Sequence, residues 1–410
     1  MKLPRASVPI ALASAVSLTA QVLFSLLMLR LFTPQAVGEF SIISQVAFFW
    51  MTLALAQSPL SLLADLHRHP IQALWAALGA SLLRLGCLMP LAWMGVHLSG
   101  LALIGQTLAW AALLALLQLG WYLAQPLTLK TASVKSIAVG RAMPPLIALA
   151  VAGLAGILWP QAGATGLLLA AAAGYAAGAL WLLPLRRSAS LPDRYGASLS
   201  LEPAVARADD RSMTLRLAHT AIDALTGTAI LLLWQRSHGA AEVGFLAVVL
   251  RLLGFVPAVI HTAWAQVLLA EGSSRRQSAV MAGLLGALLV AALALACNFA
   301  LRMQWLSSAW AGVLPYLLPL ALWQGVACMT AAFSHLPFQQ GRARTYSYMA
   351  MGFDALQLLV LCAPLVFGLT LSTAEHVWYL AGASAAGLFG FVLWLVRLAT
   401  PAQGSLSSRS

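Results

Sequence analysis

Charge is scarce in this chain. Only 8% of its 410 residues are Asp, Glu, Lys or Arg, and 61% are hydrophobic, against about 25% charged residues in ordinary soluble domains. A water-soluble fold of this size would lack the polar surface to cover itself. Acids are the scarcer sign: 11 Asp and Glu stand against 23 Lys and Arg, a net charge of +12. The basic residues are spread over short loops between apolar runs, so the excess fits a membrane protein and no nucleic-acid partner is expected. Cysteine is also rare. Cys87, Cys297, Cys328 and Cys362 lie in apolar runs at unrelated spacings, with no CxxC pair and no metal-type ligands nearby. They read as buried small hydrophobes, and no metal or cofactor is expected. A GxxxxGK[ST] phosphate loop is missing, as is any segment large enough to hold a soluble ATPase domain.

What the chain has in abundance is long apolar runs. They recur along its whole length, each near the roughly 20 residues needed to cross a hydrocarbon core about 30 Å thick. Runs such as 166 to 183 and 279 to 296 are apolar on every face, which excludes the alternating pattern of a β-barrel strand. Cutting at charges, Pro, Gly and polar clusters gives twelve expected spans: 8–29, 38–63, 71–95, 101–123, 139–158, 163–185, 214–234, 243–269, 278–301, 310–333, 346–368 and 373–397. The expected fold is all-α, a polytopic membrane protein with two six-helix lobes, 1–185 and 214–400. A polar cytoplasmic linker, 186–213, joins them, and a polar tail, 401–410, follows. Lys2 and Arg5 before the run from Val8 to Leu29 imitate a signal peptide, but the run is too long for a cleaved one and ends at Arg30, so a retained first span is expected.

Alternate loops differ sharply in basic charge. Eighteen of the 23 Lys and Arg residues fall on the side of the N-terminus, Arg30, Arg236 and Arg302 fall on the other, and Arg84 and Arg251 lie within spans. The positive-inside rule then places both termini and the linker in the cytoplasm of a bacterial inner membrane.

The two halves are duplicated. Ala36-Val37-Gly38-Glu39-Phe40 and Glu242-Val243-Gly244-Phe245-Leu246 each open the second span of a half, at an ungapped offset of 206. The same offset matches Phe49 with Phe255 and Asp65 with Glu271. Six spans separate the copies, so they run in the same direction through the bilayer, as in parallel-repeat alternating-access transporters.

Leu29-Arg30-Leu31-Phe32-Thr33-Pro34-Gln35-Ala36-Val37-Gly38-Glu39-Phe40 resembles the link between the first two helices of polysaccharide and O-antigen flippases. These belong to the multidrug, oligosaccharidyl-lipid and polysaccharide (MOP) exporter superfamily. His238-Gly239-Ala240-Ala241-Glu242-Val243-Gly244 followed by Arg251 and Pro257, and Gly341-Arg342, resemble family segments too. The resemblance implies a flippase that carries an undecaprenyl-diphosphate-linked oligosaccharide between leaflets, with membrane lipids around it and a polymerase and glycosyltransferases as working partners.

A charge at mid-span costs about 2.5–3.5 kcal/mol on insertion scales, so each one needs a partner or a cavity. Arg251 lies about eight residues into its span, and its offset partner is Gln45. If the lobes face each other as the resemblance implies, the two would line one cavity, with Arg251 either a phosphate contact or half of a structural ion pair. Arg30, at the end of the first span, and Arg84, deep in the third, are the other substrate candidates; a snorkelling interfacial arginine and a pair within the lobe are their plainer readings. Arg216, His219, Asp223 and Thr226 recur at three or four residues and form one polar stripe. Asp223 and His261, at matched depth on consecutive spans, could carry a proton or tie the helices together; His219 and Asp354 are weaker candidates of the same kind.

The rival within the superfamily is a cation-coupled multidrug exporter. The resemblance gives such proteins an essential acid in the first helix, and the run from Val8 to Leu29 has none. A membrane-embedded polysaccharide polymerase or ligase would need a large outward loop and a catalytic residue set, and neither is visible. A non-transporting scaffold would have no use for intramembrane charge. The charge asymmetry generates the first prediction: a Ser198→Cys variant is labelled by an impermeant thiol reagent only from the cytoplasmic side. Labelling from the periplasm alone would invert the topology.

Overall fold

The computed structural model describes residues 7–56, 58–59, 62, 70–131, 134–183, 210–261 and 276–398. Most of the expected linker, the end of the eighth span and the C-terminal tail lie outside them. Among the described residues the chain is all-helical, in the order α1 (Ser7–Leu31), α2 (Pro34–Leu55), α3 (Pro70–Cys87), α4 (Met89–Ser99), α5 (Ile104–Thr131), α6 (Val134–Leu158), α7 (Gly163–Leu182), α8 (Asp210–His238), α9 (Ala240–Val259), α10 (Arg276–Arg302), α11 (Leu314–Phe333), α12 (Leu336–Gln339), α13 (Ala343–Phe367) and α14 (Thr373–Leu398). Among the described residues ten helices are long and apolar enough to cross a membrane, or eleven if the bent pair α3–α4 is one span, against the twelve expected from sequence; the apolar part of α1, Val16–Leu31, is shorter than these. The chain is a multi-pass membrane protein, and its outer belt is that of one: Leu83, Leu158, Leu295, Val366 and Phe367 are all strongly exposed.

Two boundaries moved. The second span begins four residues before the expected Gly38, because Thr33 caps it: its hydroxyl accepts from the Ala36 N–H at 3.3 Å and Pro34 occupies the first turn, where its missing N–H costs nothing. The third expected span, 71–95, is two helices bent by 47° at Leu88. Pro90 is the cause, since it cannot donate to the carbonyl four residues back. The Trp50 indole N–H from α2 reaches into the break and donates to the Leu85 carbonyl at 2.7 Å. Cys87 lies at this break and is exposed, contrary to the expectation that all four cysteines are buried; Cys297 and Cys328 are buried as expected.

The chain divides into two compact units, Met1–Val248 and Val249–Ser410, with the boundary inside α9. The first unit thus runs past the expected linker to include α8 and the start of α9. In it α6 packs on α7 and α1, and α2 packs on α5, α7 and α8. In the second, α11 packs on α10 and α14, and α13 on α14.

The α6–α7 contact shows how a helix broken by proline is kept in a membrane. Pro144 and Pro145 stand inside α6, so the Gly140 carbonyl loses its usual partner four residues on. The Trp121 indole of α5 donates to that carbonyl at 3.1 Å. Glycines on α7 admit the proline: a Cβ on Gly174 would overlap the Pro144 carbonyl oxygen, and one on Gly178 would lie 2.6 Å from Pro144 Cγ. Trp121→Phe keeps the ring and deletes only the N–H, leaving a buried carbonyl unsatisfied at a cost of about 1–3 kcal/mol. It should lower the unfolding temperature of the detergent-solubilised protein. Trp181→Phe should do so less, because the Ser136 carbonyl it meets still has its helical partner.

Candidate functional site

Helices 2 and 9 meet through their backbones. A Cβ on Gly38 of α2 would overlap the Ala240 carbonyl oxygen at the start of α9, and a Cβ on Gly244 of α9 would overlap the Pro34 carbonyl oxygen at the start of α2. Pro34 and Ala240, like Gly38 and Gly244, are related by the offset of 206, so the two notches are one contact made twice with roles exchanged. All four residues are in the first unit, where the N-terminal ends of α2 and α9 touch.

From that contact α2 and α8 run past each other. One turn and a half deeper, α2 presents Ser41, Ser44 and Gln45 at three- and four-residue spacing, on one face. Gly227 of α8 lies opposite, with the Gln45 carboxamide nitrogen 3.1 Å from where its Cβ would be. Thr226 is next to it, and Asp223 is one turn away on the same face as Gly227. Ser41 and Thr226 are buried, and the hydroxyls of Ser41, Ser44 and Thr226 have no hydrogen-bond partner. Asp223 is exposed near the middle of α8. A carboxylate at mid-span costs several kcal/mol against lipid, so Asp223 needs a polar partner or surround at that depth. His219, one turn back along α8, is within electrostatic reach of it.

The other candidates separate. Arg84 is held within its own lobe: Nη2 donates to the Ser58 hydroxyl at 2.8 Å and to Ser81 at 3.4 Å, and Nε donates to the Ala80 carbonyl at 3.1 Å. With Ser58 and Ser81 buried and 3.2 Å apart, this cluster ties α3 to the segment following α2, which is the plainer of the two readings of Arg84. Arg30 is exposed in the last turn of α1, where a cation complements the helix dipole. Arg251 is half-buried in α9. Because α9 starts at Ala240, Arg251 is roughly 16 Å along the helix, deeper than sequence placed it.

His261, just beyond α9, bonds through Nδ1 to the Ser334 hydroxyl at 2.9 Å. Ser334 donates its proton to the Ala331 carbonyl at 2.8 Å, so Nδ1 must carry the hydrogen and Nε2 is the basic nitrogen. Asp354 is buried in α13, whose inward residues are Ser347, Asp354, Gln357 and Leu361. Gln357 Nε2 donates to the Ser384 hydroxyl of α14 at 2.8 Å. Helix 13 is thus polar inside and apolar outside, the inverse of a soluble helix.

Sequence reasoning missed Ser41 and Ser44; their three-residue spacing to Gln45 within an apolar span was the available signal. It also noted Gly38 and Gly244 as a repeat without seeing that each is pressed against the other copy. Gly38→Ala and Gly244→Ala should each destabilise the protein by about 1–3 kcal/mol through overpacking, read as a drop in melting temperature. Gly79→Ala, in α3 with nothing near its missing Cβ, is the control and should not lower it.

No protein-family model matches the sequence, and no curated protein matches it. Solved structures do match, at low identity. The lipid II flippase MurJ in an inward closed conformation superposes with a TM-score of 0.66 at 11% identity, over 95% of this chain and 87% of that one. An inward-facing multidrug resistance MATE transporter of the MOP superfamily gives 0.55 at 11% identity, over 94% of each chain. A eukaryotic MATE transporter gives 0.54 at 14% identity, over 95% of this chain and 96% of that one. The chain has the fold of the MOP superfamily transporters over nearly its whole length.

Proposed function

We propose that this protein is a flippase that moves an undecaprenyl-diphosphate-linked oligosaccharide across the bacterial inner membrane by alternating access. Arg251 carries the reading: it is a guanidinium half-way along α9, whose other charged residue, Glu242, lies in the first turn, while α1 contains no acid. A diphosphate needs a cation inside the membrane, and a cationic drug needs an acid. The fold it shares with a lipid II flippase supports transport of this class, as does the duplication into lobes 1–185 and 214–400. In this reading both termini and the linker are cytoplasmic, Arg251 takes the diphosphate, Arg30 is a further substrate candidate, and the protein hands its cargo to a polysaccharide polymerase. His261 and Asp354 are the groups we assign to ion coupling, with His219 beside Asp223 as a further proton carrier. No step calls for bond-making chemistry, so the chain acts as a transporter and not as an enzyme.

The test is genetic and biochemical together. Deletion should stop delivery of one lipid-linked glycan to the periplasm while its cytoplasmic synthesis continues. Unchanged surface glycan combined with sensitivity to cationic dyes would establish the multidrug reading instead. Arginine binds phosphate oxygens bidentately where lysine offers a point charge. Arg251→Ala should therefore abolish export at normal membrane abundance, and Arg251→Lys should restore it only in part. Full export by Arg251→Ala would remove this residue from the mechanism.

A further inference from the structure

We infer that the facing surfaces of α2 and α8, built from Ser41, Ser44, Gln45, Asp223 and Thr226, form a binding site for the uncharged sugar of the cargo, separate from the arginine that takes its diphosphate. The inference rests on the flippase reading and adds to it where the sugar binds. Three features of the surface point to it.

The first is hydrogen-bonding capacity left unused. The hydroxyls of Ser41, Ser44 and Thr226 are covered yet have no partner, a costly state in a membrane interior, which is kept where another partner can use it. The second is geometry. Gly227 leaves a notch that brings the Gln45 carboxamide nitrogen close to α8, with Asp223 one turn along. A carboxamide and a carboxylate each offer planar pairs of hydrogen-bonding atoms, which match the neighbouring hydroxyls of a sugar ring. The third is charge. The five residues include no cation and one acid, so the surface repels a diphosphate and accepts the proton of a hydroxyl. The buried hydroxyls become available when α2 and α8 part, and in the present conformation Gln45 is half-buried and Asp223 exposed.

The experiment uses the full-length protein in nanodiscs and two probes, undecaprenyl diphosphate and N-acetylglucosaminyl-diphospho-undecaprenol, with binding measured for each. The unaltered protein should bind the sugar-bearing lipid about tenfold more tightly, the value of one or two hydrogen bonds. Gln45→Ala should remove that difference and leave binding of the bare diphosphate unchanged. Because Gln45→Ala alters packing, the double variant Ser41→Ala, Thr226→Val is measured beside it. It removes only unpartnered hydroxyls, so it folds at least as well as the parent, and it should narrow the difference at least threefold. Equal affinity of the unaltered protein for the two lipids would overturn the sugar site, and so would an undiminished difference in both variants. Binding of neither lipid would overturn the flippase reading itself.

Discussion

A peptide carbonyl that has lost its helical partner finds no water inside a bilayer, and this fold is arranged around that fact. Prolines at 90 and 144 break helical ladders within spans, and at each of these breaks a side chain from a neighbouring helix donates to a carbonyl. Trp50 meets the break in the third span and Trp121 the one in α6. Each repair ties together two consecutive spans, α2 to α3 and α5 to α6. Tryptophan suits the task because its ring packs as hydrocarbon while its N–H serves as a donor.

The same constraint sorts the polar side chains. Arg84 is held by two serine hydroxyls and a carbonyl, and Gln357 and Ser384 join α13 to α14. Against that background the unpaired set on α2 and α8 is conspicuous. It is flanked by the glycine notches on one side and by Asp223 on the other, so the polar surface lies directly below the point where the helix ends close on each other. A site placed there is uncovered or covered by the separation of α2 from its neighbours, without movement inside either helix.

The all-helical, multi-pass character of the chain and the place of most spans were legible in the sequence because hydrocarbon imposes a length and a composition on each crossing. The equivalence of Gly38 and Gly244 was legible from the repeat, and the fold brings both to one exchanged contact. Boundaries were less so. Cutting at Gly38 overlooked Thr33-Pro34, where a cap and a proline set the true start, and a run of uninterrupted hydropathy hid the bend at Leu88. Partners were hardly legible at all. Arg84 is an isolated arginine in apolar sequence, and only the fold shows that it is engaged by Ser58 and Ser81, residues 26 and 3 positions away. Asp223 and His261 matched in depth on paper, yet His261 is bound to Ser334, far along the chain on α11's end.

The exchanged glycine contact bears on the origin of the chain. Gly38 against Ala240 and Gly244 against Pro34 are equivalent by the internal repeat, and an isologous contact of this kind is what two identical six-helix subunits would make about a two-fold axis. In such an ancestral pair one mutation would have altered both notches at once, and no substitution could have been made on one side alone. Fusion into a single chain released that restriction. Gln45 and Arg251, which occupy equivalent positions in the two copies, are what the released halves became: one neutral and one charged, an asymmetry that a homodimer could never have held.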